Sequence, residues 1–320
     1  MIALASPTTI ALVALMKLKG VGRRAALRIV DREISESDGR EEVLAKAEHA
    51  KLPVSELREA WTQSEEQLDR SFAAGVRAFS VHEQGYPERL KKIPDPPAVL
   101  FVKGNPQGLH AAYCLAVVGT REPTAYGEKV ARKSAATAVE DGFAIVSGLA
   151  HGCDTLGHEG CLDARGVGVA VLAHGLDKVY PAANRTLAQR LLDFEGCLVS
   201  EYPLGVTPLR TAFAERDRIQ SGLADGVLVI ETDVKGGTMH TVRFSRDQKR
   251  ALACIEHPQA WCHEDKTKGN QKLIADRWAE AIPDGEALRR FLKRLKLERG
   301  KVPEPPKPNE PGSPQISMAF

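Results

Sequence analysis

Between residues 113 and 257 six short apolar runs recur: CLAVVG (114–119), FAIVSG (143–148), VGVAVLA (167–173), CLVSEY (197–202), VLVIE (227–231) and ALACIE (251–256). Amphipathic stretches of helical length separate them. A continuous apolar run of strand length fits a strand buried on both faces, and a sheet buried on both faces is a parallel one covered by helices. The alternation predicts an α/β domain with a doubly wound, mostly parallel sheet. In such sheets the crossovers are right-handed and ligands gather beyond the carboxyl ends of the strands. Function is therefore expected at the junctions that follow these runs.

The flanking segments differ in texture. Residues 1–80 carry alanine, leucine and charged residues at helical spacing with no strand-like run, which predicts a small all-helical N-terminal domain. Within it, LKGVGRRAALRIV (18–30) places Gly20 and Gly22 between two helical stretches, like the glycine turn of a helix-hairpin-helix or SAM-like domain. Such a turn brings backbone N–H groups toward a phosphate, with Arg23 and Arg24 adding charge, although an ordinary turn between two helices fits the same residues. Residues 81–112 contain the proline-rich GYPERLKKIPDPPAVLFVKGNP (85–106) and read as an extended connector packed on the core. The main domain is expected over 113–298. A disordered tail is expected over 299–320, where six prolines fall within 301–320.

Charge narrows the partners. Lys and Arg total 44 against 42 Asp and Glu, and residues 113–257 hold 16 basic against 18 acidic side chains. A chain that coats polyanions non-specifically is excluded, so any nucleic-acid site must be local. With no apolar run of membrane-spanning length and Lys17 as the first basic residue, a cytoplasmic protein without a membrane span is expected. Cys114, Cys153, Cys161, Cys197, Cys254 and Cys262 contain no C-x-x-C pair and read as reduced thiols, most of them in the core.

Five junctions carry chemistry. In GTREPTAYG (119–127), Gly119 ends the strand, Thr120 and Arg121 follow, and a helix begins near Ala125 or Tyr126. A helix N-terminus beside a guanidinium is a phosphate site by simple electrostatics. In SGLAHGCDTLGHEGCL (147–162), Ser147, Gly148 and Gly152 precede a helix that Asp154 is placed to cap, and His151 and His158, seven residues apart, suit surface or capping roles. HGLDKVYPAANRTL (174–187) offers Lys178 and Arg185 around a proline turn. In FAERDRIQSGLADG (213–226), Arg216 and Arg218 flank Asp217 just before an apolar helix. One or both arginines are expected in the crevice, with Asp217 capping the helix or pairing with them. In ETDVKGGTMHTVRFSRDQKR (231–250), Gly236, Gly237 and Thr238 open a helix carrying Arg243, Arg246, Lys249 and Arg250. There is no G-x-x-x-x-G-K-[ST], no G-x-S-x-G and no H-E-x-x-H, so neither a hydrolase, a metal site nor a bound cofactor is predicted.

The order of these junctions, with SEYPLG (201–205 preceded by Ser200) and the KGNQKLIADRWAEAI segment (268–282), resembles the DNA-processing protein A (DprA, also called Smf) family over nearly all of 85–290. The resemblance implies a Rossmann-like domain behind a helical N-terminal domain. It implies a non-enzymatic protein that binds single-stranded DNA, protects incoming strands in natural transformation and hands them to a RecA-type recombinase, usually as a homodimer. By the same resemblance the strand-binding arginine falls on Arg121, the glycine loop on Ser147 and Gly148, and the paired arginines on Arg216 and Arg218. Together with Gly119, Thr120, Tyr126, Lys178, Arg185, Gly237 and Thr238 these form the expected DNA-binding set.

The chain also departs from the family pattern. Asp217 stands where the family commonly has asparagine, Ala182 where a basic residue often follows Tyr-Pro, and Gly236-Gly237-Thr238 where serine-glycine-serine is usual. A C-terminal winged-helix domain is not expected after about residue 298. The alternative reading is a nucleotide-binding sensor of the related Rossmann-like (SLOG) superfamily, serving a mobile element or an anti-phage system.

Overall fold

The computed structural model describes residues 5–35 and 38–299. The tail expected beyond residue 299 lies outside them. Helices α1 (Pro7–Lys17), α2 (Arg23–Glu33), α3 (Arg40–His49) and α4 (Val54–Ala73) open the chain. The Ser6 hydroxyl caps α1 by accepting from the Thr9 N–H, and Pro7 sits in the first turn, where no amide donor is needed. Strand β1 (Val76–Ser80), the one-turn helix α5 (Glu88–Lys91) and strand β2 (Val99–Gly104) follow.

From there the alternation runs β3 (Tyr113–Val118), α6 (Ala125–Glu140), β4 (Phe143–Ser147), α7 (Cys153–Asp163), β5 (Gly168–Val171), α8 (Arg185–Asp193), β6 (Cys197–Ser200), α9 (Arg210–Leu223), β7 (Gly226–Val229), α10 (Thr238–Asp247), β8 (Ala251–Ile255), α11 (Asp265–Ala275), β9 (Glu280–Ile282) and α12 (Gly285–Arg299). All six apolar runs are strands. Among the described residues they join one nine-stranded sheet of order β1-β2-β6-β5-β4-β3-β7-β8-β9. β3 through β9 pair in parallel, while β2 pairs antiparallel with both β1 and β6.

Two expectations need correction. The region read as all-helical ends in β1, and the connector supplies β2, so both segments extend the central sheet instead of merely leading into it. The cause is local: VRAFS (76–80) is short and mixes polar with apolar residues, and VLFVKG (99–104) lies among prolines that mark loops. Pairing with β6 supplies the backbone partners that local sequence does not reveal.

Each strand of the sheet divides its side chains between two cores because successive residues point to opposite faces. In β3, Leu115 and Val117 pack with α6, α7 and α12 residues, whereas Cys114, Ala116 and Val118 pack toward α9 and α10. Burial of each such aliphatic side chain contributes about 1.5–3 kcal/mol. A third cluster joins α1 to α4 with Phe101, Leu172, Leu187 and Leu198, seating the N-terminal helices on the β2-β6-β5 side of the sheet. All six cysteines are free thiols, five of them buried. Burial raises the Cys114 thiol to about 11 and the Cys161 thiol to about 12, so both stay protonated and unreactive at neutral pH. No helix among the described residues is long and apolar enough to cross a membrane.

Candidate nucleic-acid interface

Strand β3 lies between β4 and β7, so chain order reverses there. The loops after β3 and β7 lead away on opposite faces and open a crevice at this switch point, the place where sheets of this kind bind ligands. Gly119 to Arg121 follow β3, the Gly148–Gly152 loop follows β4, and Gly236–Gly237 leads into α10. Helix α9 completes the wall. Its residues Phe213, Arg216, Asp217 and Gln220 recur at helical spacing and line a cavity of about 270 Å³ with Gly119, Arg121, Asp154, Gly237 and Thr238. A second hollow of about 60 Å³, which also touches Arg121, Phe213 and Arg216, adjoins Tyr180 and His174.

Arg216 is the centre of the site. It is 6% exposed, with Nη1 3.8 Å from Asp154 Oδ2 and Nε 3.5 Å from Asp217 Oδ1. These are ion-pair distances without hydrogen-bond geometry at either nitrogen. Burial pushes the Asp217 carboxyl up to about 7, with Arg216 opposing the shift and Asp154 reinforcing it. Burial likewise raises Asp154, again opposed by Arg216. Two carboxyl groups thus share one guanidinium in a desolvated pocket.

Gly148 makes this arrangement possible by having no side chain. A Cβ there would stand 2.0 Å from Arg216 Nη1 and 2.3 Å from Asp154 Oδ2. The missing side chain makes room for the charge cluster. Gly152, at φ +75°, lets the loop cross Thr120, whose carbonyl accepts from the Cys153 N–H at 3.1 Å.

At the rim the character changes. The Arg121 guanidinium lies 5.5 Å from the Phe213 ring centroid, and the half-exposed Tyr180 ring is 5.9 Å from Phe213. A guanidinium above an aromatic pair offers one face for stacking bases and one charge for phosphate.

Of the expected site residues, Gly119, Arg121, Arg216, Gly237 and Thr238 meet at one cavity. The others lie elsewhere. Ser147 is buried and donates its hydroxyl to the Val117 carbonyl at 2.6 Å. Thr120 donates its N–H to the Glu231 carbonyl at 2.8 Å. Tyr126 packs on His257 and Trp261 at centroid distances of 5.6 and 6.2 Å. Lys178, on the segment before α8, and Arg185, which opens α8, are both exposed and outside the cavity lining.

Arg218 is a clear correction to the expectation of paired arginines in the crevice. Helix α9 begins at Arg210, several residues earlier than the sequence suggested, so Arg216 and Arg218 sit about 200° apart around it. Arg218 instead grips Glu201 with Nη1 and Nη2 at 2.7 and 2.6 Å and donates Nε to the Asp95 carbonyl at 2.9 Å. Arg23 joins the same network, pairing with Asp95 and reaching Glu201 at 2.8 Å, and Arg24 reaches Asp95 at 3.0 Å. The cations of the glycine turn therefore tie the N-terminal helices to the sheet domain and are engaged by carboxylates. Asp217, in mid-helix, caps nothing.

The helix N-terminus after β3 is also filled from within. The fully buried Glu231 carboxylate accepts from the Thr124 N–H at 2.8 Å and the Thr124 hydroxyl at 2.6 Å, occupying the anion site expected for phosphate at the start of α6. His158 is a core residue, with Nε2 2.8 Å from the Gly148 carbonyl, and burial lowers it to about 4. Asp154 falls inside the first turn of α7, after the cap position held by Gly152. The basic series expected on one helix is split: α10 ends at Asp247, before Lys249 and Arg250, Arg246 stacks on Trp278 at 3.6 Å, and Arg250 turns inward to the Arg89 and Gly222 carbonyls, so no single cationic face forms. No group of three or more His, Cys, Asp or Glu side chains suited to a metal ion occurs among the described residues.

Sequence reasoning missed Phe213, Tyr180, Gln220 and Glu231. The first two carried a signal, an aromatic at each end of charged loops that converge at the switch point.

The family model for DNA recombination-mediator protein A matches residues 77–293. The Escherichia coli protein Smf is 42% identical over 173 residues, which cover 54% of this chain and 46% of Smf, so the chain spans about half the length of that relative. The X-ray structure of DprA from Streptococcus pneumoniae is similar with a TM-score of 0.69 and 26% identity, over 90% of this chain and 94% of that one. A Helicobacter pylori DprA structure, described by its single-stranded DNA binding mode, is similar with a TM-score of 0.60 and 25% identity, over 69% of this chain and 99% of that one. A match across the sheet domain and crevice alike leaves one conclusion: the chain belongs to the DNA recombination-mediator protein A family.

Proposed function

We propose that this chain binds single-stranded DNA along the switch-point crevice, without cutting it, and presents the strand to a RecA-type recombinase in transformation or recombination, acting in the cytoplasm as a homodimer. The observation that carries the reading is the rim: Arg121 above Phe213, with Tyr180 beside it and the Arg216 cavity behind. Aromatic rings accept any base by stacking, and a guanidinium at their edge follows the backbone, which is the combination that sequence-tolerant strand binding requires. Near-neutral overall charge fits such a local site. The Helicobacter pylori relative, whose structure is described in terms of a single-stranded DNA binding mode, supports the reading by similarity.

Fluorescence anisotropy with a labelled oligothymidylate at low and moderate salt tests it. Binding should weaken as salt rises, and Arg121→Ala should lower the slope of log K against log salt by about one if Arg121 meets one phosphate. Absence of binding at micromolar protein, or binding unchanged by Arg121→Ala, overturns the proposal. Sedimentation at the same concentrations tests the dimer.

A further inference from the structure

The α9 wall of the crevice carries buried donors that lack acceptors. Gln220 is 2% exposed and lines the 270 Å³ cavity, and its Nε2 makes no hydrogen bond among the described residues. Arg216 Nε and Nη1 make no hydrogen bond either and meet Asp217 and Asp154 only at ion-pair distances of 3.5 and 3.8 Å. A buried donor without an acceptor costs about 1–3 kcal/mol, and three around one cavity mark the complement of a ligand.

The same wall constrains what that ligand is. Asp217 and Asp154 also line the cavity, so a simple anion would meet two carboxyl groups there. An apolar molecule would leave every donor unpaired. The volume admits a single heterocycle and falls below the range of pockets that hold drug-sized molecules. What fits is a planar ring with donors and acceptors side by side, which is the edge of a nucleobase.

Among the four DNA bases the carboxylate selects one. An ionised carboxylate only accepts, and its two oxygens take two neighbouring N–H groups at once. Guanine alone presents two adjacent donors, the ring N1–H and the exocyclic amino group, next to a carbonyl acceptor. Adenine and cytosine each set one amino group beside a ring acceptor, and thymine sets one N–H between two carbonyls.

Resting on the reading that a strand occupies the crevice, we propose that the cavity takes one unstacked guanine, with Asp217 accepting from its N1–H and amino group and Gln220 and Arg216 donating to its carbonyl oxygen. Arg121 and the Phe213–Tyr180 pair lie at the cavity mouth, where they would hold the flanking backbone and bases.

The test compares labelled oligothymidylate with the same strand carrying one central guanine or one central inosine, at pH 8, using the full chain and its Asp217→Asn variant. Guanosine monophosphate is titrated separately. The guanine strand should bind about tenfold tighter than oligothymidylate, and inosine, lacking the amino group, should lose most of that gain. In Asp217→Asn the ratio of guanine to thymine affinity should fall toward one, whatever the absolute affinity. The inosine arm reads the same contact without altering the protein.

Equal binding of all three strands by the wild-type chain overturns the inference and leaves the strand-binding reading standing. A guanine preference untouched by Asp217→Asn or by inosine overturns it too. If oligothymidylate fails to bind while guanosine monophosphate binds in an Asp217-dependent manner, guanine recognition holds and the strand reading falls.

Discussion

Replacing Asp217 by asparagine should make the protein more stable at pH 8 and leave its stability nearly unchanged near pH 4. Asp217 lies in a desolvated pocket beside Asp154, and its carboxyl is raised from 3.8 to about 7 with Arg216 only partly offsetting the burial. A carboxyl with a raised folded-state pKa stabilises fully below its unfolded value, and that contribution is lost as pH rises through the folded value. The window therefore runs from about pH 4 to pH 7. A shift of about three pH units, at 1.36 kcal/mol each, is about 4 kcal/mol once the group is ionised. For 320 residues the unfolding entropy is roughly 0.7 kcal/mol/K, so the difference corresponds to about 6 °C in Tm. Differential scanning fluorimetry of both proteins from pH 5 to pH 9 follows this group together with Asp154, which is coupled to it, while titrations remote from the pocket cancel in the difference. A Tm difference flat across that range, or an asparagine variant less stable at pH 8, refutes the argument that the carboxylate is buried at a net cost.

Other outcomes follow from the same geometry. Arg218→Met should lower stability by about 3 kcal/mol by leaving Glu201 and Asp95 with Arg23 and Arg24 alone, while the salt dependence of strand binding stays as in the parent; chemical denaturation and anisotropy read the two effects separately. Gly148→Ala forces Arg216 out of its position and should cost about 1–3 kcal/mol together with weaker binding, whereas a variant that behaves like the parent would show that Arg216 moves aside freely. His158, lowered by burial to about 4, stays neutral in the fold while the unfolded chain gains a proton, so stability should fall as pH drops from about 6.5 toward 4. His158→Gln should flatten that part of the pH profile in urea titrations.

What the sequence disclosed and what it hid divide along physical lines. Runs such as VLVIE and CLAVVG are strands because no other element buries such a short apolar stretch on both sides, and the glycine junctions marked the switch point. Arg121 was legible because it follows the end of β3 at that point, and Arg216 because it lies in a charged segment that lines the same crevice. Arg218 was misplaced because helical phase depends on where α9 begins, and no capping residue near Arg216 fixed that start; the helix has no side-chain cap at all. The filling of α6's N-terminus by Glu231, more than one hundred residues away in sequence, is tertiary information that local pattern cannot hold. Strands β1 and β2 escaped for the same reason, since their partners, and not their own residues, make them strands.

The sheet closes itself off at both margins. On one side β9 has only three residues, and on the other β1 has five, with Arg77 in the register opposite Val102 and the N-terminal helices packed alongside. Long flat edges invite strand-to-strand polymerisation, and edges this short or covered do not. A nine-stranded sheet with such margins offers no long, flat edge among the described residues on which a second copy could template a growing sheet.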